Sequence, residues 1–276
     1  MGGDDEQLVR AYLDGDRRAL AAIYDRYADE LHNFAWGMLR SADDAADVTH
    51  DAFVLASQRL DQLRDPTKLR AWLFSIVRNE TRRRGRARTR LQPTEAVQDM
   101  AAEGPEPEAG IHDDELRDLV WAAAEGLDER DRELLELTVR NGLGGDELAE
   151  AMGVTTSHVY VMTQRMRERV ERSLGALLVA RGGSDDCDEL AGLLRGWDGT
   201  FSVKLRKRVA RHIDDCDVCT RRKGAMASPL ALLGAVPLAP APALLRDRVM
   251  ASVEAGAAPP PGAVGGAGTG GPVAAT

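Results

Sequence analysis

Cysteine is absent from the first 186 of the 276 residues, and aromatic residues make up only 4% of the chain against 43% hydrophobic content. A chain so poor in aromatics must build aliphatic cores, and its length suits two small domains with additions better than one large core. Runs of alternating β-branched residues are also missing, which excludes a sheet protein. The periodic segments keep a 3.6-residue spacing, so an all-α fold is expected. No membrane-spanning run is present: the longest apolar stretch, LALLGAVPLAPAPALL at 230–245, is sixteen residues long and is broken by Pro237, Pro240 and Pro242. Residues 1–30 carry acids throughout and hold no apolar run of the kind a secretory signal needs, so a cytoplasmic protein is expected. Neither a Ser/His/Asp set nor a phosphate-binding loop is found, which argues against an enzyme.

The most informative stretch is 41–84, SADDAADVTHDAFVLASQRLDQLRDPTKLRAWLFSIVRNETRRR. Asp44, Asp47 and Asp51 recur along one edge of a helix whose other face carries Val48, Ala52, Leu55 and Ala56. Asp65-Pro66 then supplies an N-cap and a first-turn proline for a second helix bearing Leu69, Trp72, Leu73, Ile76 and Val77. That helix ends in Arg78, Arg82, Arg83 and Arg84, and Gly85 is the expected stop. Residues 61–90 hold ten Lys/Arg against three Asp/Glu, although the whole chain carries −9. A basic patch able to grip phosphates is therefore hidden in an acidic protein.

In order and spacing, DDAADVTHDAF followed by LRAWLFSIVRNETRRR resembles region 2 of bacterial sigma factors of the extracytoplasmic-function (ECF) class, and LVRAYLDGDRRALAAIYDRYADEL is similar to the start of the same domain. The resemblance implies that Asp44, Asp47, Val48, Asp51 and Phe53 meet a coiled coil of core RNA polymerase. It implies equally that Arg78, Asn79, Arg82, Arg83 and Arg84 face the minus-ten element of promoter DNA, and that the loop from Asp61 to Pro66 captures a base flipped from the opened strand. The chemistry agrees: a carboxylate edge suits a basic coiled coil, and arginines both track phosphates and stack on unpaired bases.

Residues 91–115 contain eight acids, three prolines, two glycines and no Lys or Arg, the composition of an extended linker. A plain spacer and an acidic strand that mimics nucleic acid both fit it. An apolar stripe at Leu116–Ala124 follows, and then GLDERDRELLELTVRNGLGGDELAEAMGVTTSHVYVMTQRMRERVERSL has helix-turn-helix form. Leu134, Leu135 and Leu137 pack one helix, Leu143, Leu148, Ala149 and Met152 the next. Gly153 makes the turn and Thr155 or Thr156 caps the third. Ser157, His158, Tyr160 and Gln164 are placed to face bases, with Arg165, Arg167 and Arg169 on phosphates and Thr155 at the DNA-binding end of the same helix. This segment is similar to region 4 of the same class, which reads the minus-thirty-five element. It departs from the family at Tyr160 and Met162, where Lys or Arg is usual, and so weakens the expected phosphate grip.

All three cysteines fall within 187–219, and His212, Cys216 and Cys219 form H-x3-C-x2-C. With Cys187 they make a Cys3His set, four ligands that complete a tetrahedral Zn(2+) site of the structural kind. Free thiols or a Cys216–Cys219 redox pair are the competing readings. The stretch 187–223 resembles the zinc-binding anti-sigma module, which in separate anti-sigma proteins holds sigma domains away from polymerase. That implies an inhibitor or sensor fused to its own target, and a separate anti-sigma partner is compatible with it.

The expected organisation is a region 2 domain at 5–90, an acidic linker at 91–115, a region 4 domain at 116–180 and a zinc module at 185–225. An Ala/Gly/Pro-rich tail at 226–276 should be mostly without structure, apart from a short helix near Leu244–Val253 that could dock on the sigma domains. A stand-alone helix-turn-helix regulator with a zinc-stabilised sensor is the alternative, disfavoured by the acidic edge and the single reader domain.

Overall fold

The computed structural model describes residues 2–91, 127–226, 228–235 and 240–257. Among them every regular element is helical, and no helix is long and apolar enough to cross a membrane. The acidic linker and the apolar stripe at Leu116–Ala124 lie outside the described residues.

Helices α1 (Gly2–Leu13), α2 (Arg18–Leu39), α3 (Ala42–Arg59) and α4 (Leu69–Leu91) form the first body. Tyr24, Tyr27, Leu31 and Phe34 of α2 pack with Ala52 and Phe53 of α3 and Leu73, Phe74 and Val77 of α4. The few aromatics are concentrated here: Tyr24 lies against Phe53 at 4.8 Å between ring centroids, and Phe34 meets Phe74 edge-on at 6.0 Å. Each such buried side chain contributes about 1.5–3 kcal/mol. The α2–α3 corner turns at Arg40, held in the left-handed region at φ 57°, its guanidinium over the Trp36 ring. Ser41 then caps α3 by accepting from the Asp44 N–H.

Asp65 caps a 3-10 turn, Pro66–Lys68, that leads into α4, as the Asp-Pro signal predicts. Gly85 does not end α4, which continues to Leu91. Gly85 lacks a positive φ, and ion pairs of Arg84 and Arg88 to α3 hold the helix across it.

The second body starts with α5 (Glu129–Leu135) and one π-helical turn (Glu136–Arg140), followed by α6 (Gly145–Met152) and the long α7 (Thr156–Arg181). Gly153, at φ 67°, makes the α6–α7 turn, and Thr155 caps α7. The helix-turn-helix predicted from the sequence is thus present. Helices α8 (Asp188–Leu193), α9 (Val203–Asp215) and α10 (Asp217–Ala225) follow, and both α9 and α10 pack on α7.

The tail contributes more than the single short helix expected. Helix α11 (Pro229–Ala235) packs on α7 and the π turn, and α12 (Ala243–Ala257) crosses back to α3 and α2.

Candidate nucleic-acid interface and metal centre

The acidic edge of α3 and the basic end of α4 face each other. Arg84 donates to Asp44 through Nε at 2.8 Å and to Asp47 through Nη2 at 2.9 Å. Arg83 reaches Asp51 at 3.5 Å and Arg88 reaches Asp44 at 3.8 Å. The hydrogen bond to Asp44, ahead of Asp47, raises the affinity of Arg84 for its proton. The sequence carries this pairing as opposite charges on two helices joined by a short turn, a signal that the separate readings of the two edges passed over.

Asp44 and Asp47 are half-buried, and Asp51 is exposed. Val48 and Phe53, expected at the polymerase contact, sit in the core instead at 3% and 0% exposure. The helical period explains the correction: Val48 lies on the same inward stripe as Ala52, and Phe53 is turned onto Tyr24 of α2.

Besides Arg84, which pairs with α3, the α4 residues expected at DNA divide into two groups. Asn79 and Arg83 are exposed. Arg78 is buried and Arg82 partly so, and both bind Glu133 of α5. Arg78 Nε and Arg82 Nη2 each donate to Glu133 Oε2 at 2.9 Å, and Arg82 Nε donates to Oε1. The Glu133 side chain is 1% exposed. A carboxylate more than fifty residues away along the chain therefore occupies the guanidinium groups assigned to DNA. No local pattern pointed to Glu133, since it reads as one of several acids on an amphipathic helix.

Further contacts join the first body to the second, among them Lys68 Nζ to Glu150 Oε2 at 2.9 Å. Arg70 Nε and Nη1 donate to Glu30 and Glu147, both at 2.9 Å, and Nη2 donates to the Asn141 carbonyl. Glu136, fully buried in the π turn, lies against Gly37 of α2, where an added Cβ would come within 2.6 Å of Glu136 Oε2. Burial pushes the Glu136 carboxyl up to about 7, against the opposing pull of Arg140, Arg132 and Arg40.

By contrast, the face of α7 expected to read bases is open. Thr155, Ser157, His158, Tyr160, Gln164 and Arg165 are exposed, with Tyr160 at 63%, while Val159, Met162, Met166 and Val170 face inward. Met162 is a core position touched by Arg130, so a cation there would have to be buried. Packing accounts for that departure from the family pattern, whereas Tyr160 remains a surface difference. Thr156 donates to Asp146 at 2.6 Å and fixes α7 to α6. Of the cations expected at phosphates, Arg169 is instead paired with Asp131.

Cys187, His212, Cys216 and Cys219 come together with all four ligand atoms within 4.8 Å of one another. His212 Nε2 lies 3.2 Å from Cys187 Sγ and 3.3 Å from Cys219 Sγ, and Cys187 Sγ lies 4.0 Å from Cys216 Sγ. Tetrahedral zinc with bonds of about 2.3 Å to sulfur and about 2.0 Å to nitrogen would set ligands about 3.6–3.8 Å apart, so the residues present fit the ion. The far nitrogen, His212 Nδ1, is 3.3 Å from Glu189 Oε2, and the Leu190 N–H donates to Cys187 Sγ. This is the carboxylate–histidine arrangement that orients a metal ligand. Glu189 was not foreseen, although its place two residues after Cys187 could have marked it. Burial, then the Cys187 and Cys216 sulfurs, push the Cys219 thiol up to about 12. A divalent cation is the ordinary means of holding three such sulfurs together as thiolates.

The family model for sigma-70 region 2 matches residues 23–91, which covers most of α2, all of α3 and all of α4. The RNA polymerase sigma-H factor of Pseudomonas aeruginosa is 28% identical over 184 residues, spanning 63% of this chain and 95% of the relative. The ECF RNA polymerase sigma-E factor of Escherichia coli K12 is 27% identical over 184 residues, spanning 63% and 96%. Among solved structures, CnrH in complex with the cytosolic domain of CnrY shares 27% identity over 63% of this chain and 98% of that one, with a TM-score of 0.48. Residues 23–91 are thus a sigma-70 region 2 domain, and the chain is homologous to sigma factors of the ECF class, sigma-E and sigma-H among them.

Proposed function

We propose that the chain is a promoter-specificity subunit. It binds core RNA polymerase through the Asp44–Asp51 edge, engages the minus-ten element with α4 and reads the minus-thirty-five element with the exposed face of α7. The observation that carries this reading is the region 2 match on 23–91 together with homology over 184 residues to sigma-E and sigma-H factors. Its residue-level part rests on charge and exposure: a carboxylate row on one edge, arginines on the next helix, and an open polar face on α7.

On this reading the described arrangement is a resting form. Glu133 holds Arg78 and Arg82, and these guanidinium groups become available to DNA only when α5 moves off α4. The Cys3His group is a structural zinc site that fixes α8, α9 and α10 on α7, and its occupancy sets how readily the two bodies part. Zinc there supplies a cross-link of three thiolates and one imidazole. Glu189 orients His212, and the Leu190 N–H supports Cys187.

The test is transcription from genomic DNA fragments by core polymerase of a related bacterium, with the full chain and its Cys216→Ser/Cys219→Ser variant. Specific new start sites with the full chain establish the sigma role. A changed yield from the variant, with zinc lost, establishes regulation in cis, and an unchanged yield removes it. Binding of a duplex operator without polymerase, and no start sites, would replace the sigma reading by a stand-alone regulator.

A further inference from the structure

The tail helix α12 sits on the surface just assigned to polymerase. Leu245 and Val249 are buried at 1% and 0% exposure, one turn apart on the face that α12 lays against α3 and α2. Polar contacts surround these two anchors. Arg246 holds both oxygens of Asp25, at 2.6 and 3.1 Å, and the Ala241 N–H donates to Asp29 at 2.8 Å. Arg248 reaches Asp47 at 3.4 Å, and His50 Nε2 meets Ser252 Oγ at 2.9 Å. Two of these partners, Asp47 and His50, lie within the 44–51 stretch of α3, and Asp47 is a member of its acidic row.

We infer that α12 is an intramolecular plug for the acidic edge of α3, and that a cationic partner helix must displace it to bind there. The inference rests on the sigma reading for the identity of that partner, the coiled coil of polymerase. The chemistry of α12 is that of such a partner: an apolar stripe flanked by arginines, laid on a carboxylate row. Both ion pairs are exposed, with side chains at 42% and 54% for Arg246–Asp25 and 55% and 43% for Arg248–Asp47, so water and salt screen them and they add little to the hold. Adhesion therefore falls mainly on a short apolar stripe, Leu245 and Val249 with Met250 and Val253 partly buried beside them, which suits a contact made to be reversed. Tethering to the same chain keeps the plug at high local concentration, so a weak contact suffices to occupy the face.

The experiment compares the full chain with Val249→Asp, with the conservative Val249→Ile, and with a chain ended after Pro240, which removes α12 without altering any residue of α3. Two quantities are read: amide hydrogen exchange across α3, and affinity for core polymerase. Val249→Asp and the shortened chain should both exchange faster in α3 and bind polymerase about tenfold or more tightly, as release from a mostly occupied state requires, while Val249→Ile follows the parent. Misfolding would lower polymerase affinity, so a gain in two unlike variants cannot come from damage.

Unchanged α3 exchange would show that α12 does not cover the helix and would overturn the plug. Faster exchange with unchanged polymerase affinity would also overturn it as a competitor, while leaving the sigma reading intact. If no form of the chain binds polymerase although α3 exchange responds, the sigma reading falls and competition with polymerase falls with it.

Discussion

Replacing Glu133 by Gln tests whether the two bodies are clasped through the arginines proposed to meet DNA. The substitution keeps the volume, removes the charge and leaves one acceptor where two oxygens served Arg78 and Arg82. A hydrogen bond to a charged group is worth about 1.5–3 kcal/mol, and removing one partner of a buried ion pair costs about 3–5 kcal/mol. Arg82 is 31% exposed and can recover water, so the lower end applies, about 3 kcal/mol against the clasped form. That corresponds to about a hundredfold shift toward separation of α5 from α4. Amide exchange should accelerate around Arg78–Arg82 and across α5, while the α2–α3 core around Tyr24 and Phe53 keeps its protection. Affinity for a single-stranded minus-ten oligonucleotide should rise in parallel. The salt dependence of that binding should steepen by about 1.4 in log–log slope, since each arginine freed to meet a phosphate contributes about 0.7. Unaltered exchange at α5 would refute the clasp. Faster exchange without a gain in oligonucleotide affinity would refute the assignment of Arg78 and Arg82 to DNA.

Three other outcomes are expected. Gly37→Ala alone should destabilise the chain, because its Cβ meets the buried Glu136 carboxyl, yet in a Glu136→Ala background it should become stabilising by about 0.5–1 kcal/mol through helix propensity; denaturant melts of the four-member cycle read the reversal of sign. Glu136 has a folded-state pKa of about 7 against 4.5 for the free side chain, so its contribution is fully present below about pH 4.5 and is lost as pH rises through 7. The loss is on the order of 3 kcal/mol, and the difference in melting temperature between the parent and Glu136→Gln, followed from pH 5 to 8, should show it and would be flat if the carboxyl were ionised throughout. Glu189→Ala should lower zinc affinity by about 10–100-fold without changing the one-ion stoichiometry, measured against a chromophoric chelator; equal affinities would remove Glu189 from the orientation of His212.

Local signals were enough for the elements and for their faces. The Asp65-Pro66 cap, the Gly153 turn, the Thr155 cap and the H-x3-C-x2-C spacing act over a few residues, and each appears where the sequence puts it. Gly85 misled because a glycine ends a helix only when the chain then turns, and the pairs from Arg84 and Arg88 to α3 hold α4 straight. For Phe53 a family contact was carried over by position, while in this chain its ring is fully buried against Tyr24. Which residues cover the candidate surfaces was not legible, although a tail helix near Leu244–Val253 docking on the sigma domains was among the expectations. Glu133 meets Arg82 across 51 residues and Arg248 meets Asp47 across 201, and no window of sequence contains both members of either pair.

On the proposed reading, those long-range pairs bear on how a chain of net charge −9 could both read DNA and rest with its reading residues covered. A buried Arg–Glu pair adds little net stability, since desolvation offsets most of its attraction, but stripping away one partner is costly. Glu133 can therefore leave Arg78 and Arg82 readily only when another anion takes its place. A phosphate is such an anion, and it offers the fork of a guanidinium the same two-point contact as a carboxylate. Exchange of one anion for another avoids the isolated buried cation that simple opening would create. On α3 the complementary argument holds: Asp47, already bound by Arg84 and Arg248, exchanges one cation for another when a basic helix arrives. The Arg78–Arg82 pocket thus opposes spontaneous exposure but not exchange with another anion, whereas the exposed pairs on α3 are screened by water and yield more easily. On the proposed reading, Arg84, now held by Asp44 and Asp47, would be a further guanidinium for DNA once a cationic partner on α3 released it.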